Sequence, residues 1–83
     1  MRYHFNLREG AEVIPDKEGS EFATFAAARA EARASLLDIV GDAIRSGHPP
    51  IDWRVEIADH HGRVIDSIGL DFFSTEYLRP AIY

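Results

Sequence analysis

Residues 24–47 read TFAAARAEARASLLDIVGDAIRSG, the longest stretch of the chain with one periodicity. Phe25, Ala28, Ala32, Leu36, Ile39 and Ala43 recur at spacings of three and four, which places them on one face of an α-helix. Leu37, Val40 and Ile44 widen that stripe in the second half. Thr24 is placed to cap the first turn, Gly47 to end the last, and Pro49 and Pro50 forbid continuation. Gly41 is an interior cost of about 1 kcal/mol relative to alanine. A helix with one apolar face needs a second layer to cover it, and this requirement selects the architecture.

The flanks supply that layer. RYHFNL alternates, with Tyr3, Phe5 and Leu7 on one side and Arg2, His4 and Asn6 on the other. A turn near Gly10 leads into EVI, which Pro15 stops because proline cannot donate to a ladder. After the helix, Trp53, Val55 and Ile57 alternate with Arg54, Glu56 and Ala58. DHHG (59–62) is a hairpin loop in which Gly62 supplies a positive φ. RVIDSIGLDFF returns, with Val64, Ile68, Leu70 and Phe72 on one parity. Asp66 falls on that same apolar parity; a bulge near Ile65 or an edge position would turn it outward. The expected fold is α+β: a four-stranded antiparallel sheet in the order 2-1-3-4, with one long helix on one face and the other face open. Residues 1–73 form the domain, and 74–83 are a tail in which Ser74 is placed to cap one helical turn.

Chemistry is narrowed mostly by exclusion. An 83-residue chain buries only about 60% of its unfolded surface, so self-association is an expectation from the outset. The absence of cysteine removes disulfides, thiolate metal sites and thiol nucleophiles. A net charge of −5 argues against a nucleic-acid-binding face. No stretch approaches the roughly 18 apolar residues of a membrane span, and the N-terminus lacks an apolar signal core. No membrane association is expected, and the cytoplasm is the expected compartment.

IPDKEGSEF (14–22) concentrates three carboxylates. A calcium loop starting at Asp16 fails at once, with Gly19 at the fourth position and Ala27 at the twelfth. Pro15, Asp16 and Gly19 instead have turn chemistry, and Glu21 lies just before the helix N-terminus. Asp16, Glu18, Gly19 and Glu21 therefore read as a structural loop, with Arg29 and Arg33 as the cations to which Glu18 or Glu21 would pin it. His60 and His61 share a hairpin tip with Asp59, but neighbours in extended chain point to opposite sides and seldom share a metal. His4 is expected opposite Glu56 as a cross-strand pair. His48 follows the helix end. No catalytic motif is present, and no metal or other cofactor is expected.

RYHFNLREG, IPDKEGSEF, AARAEA and WRVEIADHHGRVI together resemble a family of small uncharacterised bacterial proteins, a domain of unknown function. Its pattern is an aromatic first strand ending in Arg-acid-Gly, a D-x-E-G-x-E loop, an A-x-x-E-A helix start and a D-x-x-G-R turn. The resemblance spans residues 2 to about 70 and implies the β-β-α-β-β order without supplying an activity. Asp66 and the tail after Leu70 depart from it. A looser, purely topological likeness is to small antitoxins of the HicB type.

The expected role is a non-enzymatic protein–protein interaction module, self-associating as a homodimer or meeting another protein. Its candidate surfaces are the open face (Arg2, His4 and Arg54) and the apolar tail (Phe72, Phe73, Tyr77, Leu78 and Tyr83). The alternative is an antitoxin-like, nucleic-acid-linked regulator using the open face.

Overall fold

The computed structural model describes residues 1–48 and 52–69. In chain order they form β1 (Arg2–Glu9), β2 (Glu12–Ile14), β3 (Ser20–Glu21), α1 (Phe25–Arg45), β4 (Trp53–Ala58) and β5 (Val64–Gly69). The helix packs on one face of an antiparallel sheet ordered β2-β1-β4-β5, with β3 paired to β1 off that path. The α+β architecture and the order of the two hairpins are those expected from periodicity. The sheet has five strands rather than four. β3 was not anticipated, because its two residues carry no period of their own.

The helix begins where Thr24 Oγ1 accepts a hydrogen bond from the Ala27 amide at 3.1 Å. It ends in a paired set of backbone bonds, His48 N–H to Ala43 O and Gly47 N–H to Ile44 O, with Gly47 at φ +77°. His48 thus helps to close the helix through its backbone. The buried stripe is Ala28, Ala32, Leu36, Val40 and Ala43, narrower than expected. Ile44 is 54% exposed because the i+4 row from Ala28 drifts round a 3.6-residue helix, and Leu37, about 100° round the helix from Leu36, is 36% exposed. Small residues in its first half let α1 lie close to the sheet, where Tyr3, Val55, Ile57 and Ile68 complete the core. Phe22 joins from beyond β3, its ring 5.6 Å from Phe5 and 6.3 Å from Tyr3.

Asp66 shows how a polar residue is accommodated on an apolar parity. β4 and β5 pair Ile57 with Asp66 but Ala58 with Val64, so Ile65 is the extra residue of a bulge. The bulge lies where the sequence placed it, yet it does not turn Asp66 outward. Residues directly opposite share a sheet face, so Asp66 stays on the helix side with Ile57. Its charge is met there by Arg29, whose Nε lies 3.0 Å from Asp66 Oδ2. The 1–73 boundary and the tail residues Phe72, Phe73, Tyr77, Leu78 and Tyr83 lie outside the described residues.

Candidate functional site: a cleft on the open sheet face

The outer edge of β1 is paired twice and interrupted between. β2 covers Leu7 to Glu9, and β3 covers Arg2 and Tyr3. Over the gap the chain bows away from Pro15 to Gly19, and Asp16 takes the place of the missing strand. Its Oδ2 accepts from the Phe5 amide at 3.1 Å, and its Oδ1 accepts from the Gly19 amide at 3.1 Å. Its own amide donates to Asn6 Oδ1 at 2.9 Å, and its carbonyl accepts from His4 Nδ1 at 2.7 Å. A carbonyl oxygen can only accept, so His4 Nδ1 carries the proton in this contact. Gly19 makes the close approach possible: at φ +70°, a Cβ there would sit 2.7 Å from the Tyr3 carbonyl oxygen and 2.9 Å from the His4 ring.

The remaining loop carboxylates also serve the fold, with partners other than those anticipated. Glu21 lies 3.3 Å from Arg2 Nε and 3.2 Å from the amino group of Met1. Glu18 contributes its backbone carbonyl, which accepts from Arg2 at 2.7 Å. The expected pin from Glu18 or Glu21 to Arg29 or Arg33 is thus replaced by pairing with β1. The physical reason is β3: once Glu21 stands opposite Arg2 in a ladder, it faces β1 rather than the helix. Arg29 instead meets Asp66, and Arg33 lines a depression of about 380 Å3 on the outer helix surface with Ala30, Ala34 and Leu37.

The sheet face away from the helix is polar and internally bonded. Across β1 and β4, His4 stands opposite Ala58, Asn6 opposite Glu56, and Arg8 opposite Arg54. His4 was expected opposite Glu56; the actual register puts it two residues further along β4. Arg8 and Arg54 face each other as like charges, and each is answered on a neighbouring position. Arg8 Nε donates to Glu56 Oε2 at 3.1 Å, and Arg54 Nε donates to Ser67 Oγ at 2.8 Å. The three residues singled out from sequence on this face, Arg2, His4 and Arg54, therefore all have intramolecular partners.

That register brings two separate loops to one end of the sheet. The β4–β5 hairpin is held by Asp59, whose Oδ1 accepts from the His61 amide at 2.9 Å and the Arg63 amide at 3.0 Å. These contacts, the Arg63 bond foremost and opposed in part by desolvation, hold the Asp59 carboxyl below its ordinary value of 3.8. Gly62, at φ +84°, closes the turn by donating to the Asp59 carbonyl at 3.0 Å. The turn places the His60 and His61 rings side by side, with centroids 3.9 Å apart, where the extended-chain argument had them diverging. Between this hairpin and the Asp16 loop lies a cleft of about 390 Å3. Asn6, Asp16 and Lys17 line one side, His60, His61 and Gly62 the other, with His4 and Ala58 between.

Sequence reasoning treated these two loops separately and did not combine them. It also passed over Lys17 and Ala58 as site residues. The usable signal was the antiparallel pairing itself, since it sets the end of β4 beside the start of β1. Among the described residues, no group of three or more histidines, aspartates or glutamates is arranged to hold a metal ion. No helix among them is long and apolar enough to cross a membrane.

Residues 2–71 match the model of the family described as a domain of unknown function, DUF6894. The chain belongs to this family. No curated protein and no solved structure matches it. The match covers every described strand and the helix, and so includes both loops of the cleft.

Proposed function

We propose that this domain is a non-enzymatic binding module that engages a partner protein through the open sheet face, with the cleft between the Asp16 loop and the 59–62 hairpin as its anchoring point. The observation that carries this reading is the polar lining of the cleft, an open depression where two hydrogen-bonded loops meet at one end of a bonded polar surface. Catalysis is disfavoured by the way its carboxylate is used. Asp16 is the one acidic residue lining the cleft, and both of its oxygens already accept backbone amides. The antitoxin-like alternative is disfavoured because Arg2, Arg8 and Arg54 are engaged within the chain and the net charge is −5.

Photo-cross-linking distinguishes the surfaces. A cross-linkable residue at Lys17 is expected to trap a partner in the cells that make the protein. The same group at Ala34, on the outer helix surface, is expected to trap none. Capture from Ala34 alone, or equally from both positions, contradicts the proposal.

A second reading, self-association, is favoured by one observation. β5 is the outer strand of the described sheet, and Val64 and Ile65 on it are 48% and 44% exposed. Sedimentation of the chain and of Val64→Lys at high concentration tests it. A monomer in both cases removes this reading.

A further inference from the structure

We infer that the β5-side flank of α1, exposed at Leu37 and Ile44, is the docking surface for residues 70–83 of the same chain. The inference goes beyond the binding-module reading: it assigns one surface to the chain itself and leaves the open sheet face to a partner. One contact settles which way the flank faces. Arg29 Nε lies 3.0 Å from Asp66 Oδ2, so the helix row that begins at Arg29 lies over β5. Arg33 and Leu37 follow it at successive i+4 steps, and Ile44 lies about two turns beyond Leu37. β5 is the outer strand of the described sheet, so among the described residues no further strand lies beyond it to cover this flank. Leu37 is 36% exposed and Ile44 54%. Beside Leu37 is a depression of about 380 Å3 that Ala30, Arg33 and Ala34 complete, with only two small side chains and one long one around it.

The occupant follows from where the chain leaves β5. Tyr3, at the start of β1, packs on Phe25, at the start of α1, with ring centroids 5.9 Å apart. The other end of β1 meets the start of β4, where Glu9 stands opposite Trp53. Gly69, the last residue of β5, stands opposite Arg54 at that same end, and residues 46–52 join it to the end of α1. The chain therefore emerges on the side and at the end of the domain where Leu37 and Ile44 are exposed. The fourteen residues that continue from Gly69 carry Phe72, Phe73, Tyr77, Leu78, Ile82 and Tyr83, more apolar surface than a small domain leaves in water. Fully extended they would span about 46–50 Å, whereas Ile44 to Ala30 is about 21 Å along the helix, so reach is ample. Tethering also gives this segment an effective concentration on the order of mM at the flank, above that of a separate chain in dilute solution.

The test is paramagnetic broadening in methyl NMR spectra of the full chain. The chain has no cysteine, so Thr75→Cys gives a single attachment point for a nitroxide. The label is expected to remove most of the methyl intensity of Leu37 and Ile44. Val13 and Ile14, on β2 at the opposite edge of the sheet, are expected to keep theirs. Adding Ile44→Asp, at an exposed position, is expected to restore most of the Leu37 signal, with unchanged Ile57 and Ile68 shifts showing that the core is intact. A mixture of isotope-labelled chain without nitroxide and nitroxide-bearing chain without isotope is expected to show no broadening. Broadening in that mixture assigns the flank to a second copy and overturns the inference. Full Leu37 and Ile44 intensities in the nitroxide-bearing chain, equal losses at Val13 and Ile14, or losses confined to Val64 and Ile65 on β5 would each overturn it as well.

Discussion

Replacing Asp16 by alanine removes the two hydrogen bonds through which the loop substitutes for a strand at the β1 edge. The backbone contacts of residue 16 to Asn6 and His4 do not involve its side chain, so the change isolates the carboxylate. A hydrogen bond to a charged group contributes about 1.5–3 kcal/mol. Asp16 is only half-buried, so water partly replaces it and the lower end applies. The expected loss is then about 2–3 kcal/mol for the two bonds, most of it from the Phe5 amide stranded at the sheet edge. For a domain of this size each kcal/mol moves Tm by about 4–8 °C, giving a fall of about 10–20 °C. Urea denaturation followed by circular dichroism gives the free energy directly, with an unchanged m-value confirming that the folded state is the same. Glu21→Gln is the internal comparison: its ion pairs are exposed and are expected to contribute about 0–1 kcal/mol. If Asp16→Ala costs no more than Glu21→Gln, the loop is not held by that carboxylate and the reasoning fails.

Three further outcomes follow from the same contacts. Gly19→Ala places a methyl against the Tyr3 carbonyl in a left-handed backbone, and it is expected to cost about 2–4 kcal/mol by denaturant melt; at Gly10, where nothing lies within 4 Å, the same change is expected to cost only about 1–2 kcal/mol. Asp66→Leu exchanges a half-exposed ion pair for apolar burial on the helix side and is expected to leave stability within about 1 kcal/mol of wild type; a larger loss would show that Arg29 depends on that partner. Asp59, with its folded pKa lowered, contributes hairpin stability that is fully present above 3.8 and is lost as pH falls through its lower folded value. A carboxyl NMR titration midpoint at or above 3.8 would contradict this.

Some of the structure was legible in the sequence because it is written in local periods. The helix follows from one apolar row with Thr24 and Gly47 at its ends, and both hairpins follow from alternation around Gly10 and Gly62. The bulge at Ile65 was legible too, as the one place where alternation put a carboxylate among apolar side chains. The parts that were not legible depend on registers between distant segments. β3 exists because Asp16 draws the chain back along β1, so that Glu21 meets Arg2; nothing within Ser20–Glu21 signals a strand. His4 was set against the wrong neighbour because the β1–β4 register is fixed across the whole helical crossover. The cleft was invisible for the same reason, since its two sides are more than forty positions apart in the chain. The histidine pair was misjudged through geometry, as the rule for extended chain does not hold inside a tight turn.

The claim on which the rest depends is that the Asp16 carboxylate completes the β1 edge and is therefore structural. Amide hydrogen exchange of the unaltered chain at neutral pH tests it most directly, read at Phe5 and compared with ladder-bonded amides elsewhere in β1. Protection of Phe5 comparable to that of its laddered neighbours is the predicted result. Exchange of Phe5 at nearly the unprotected rate, while those neighbours remain protected, would show an open gap between β2 and β3 and contradict the account.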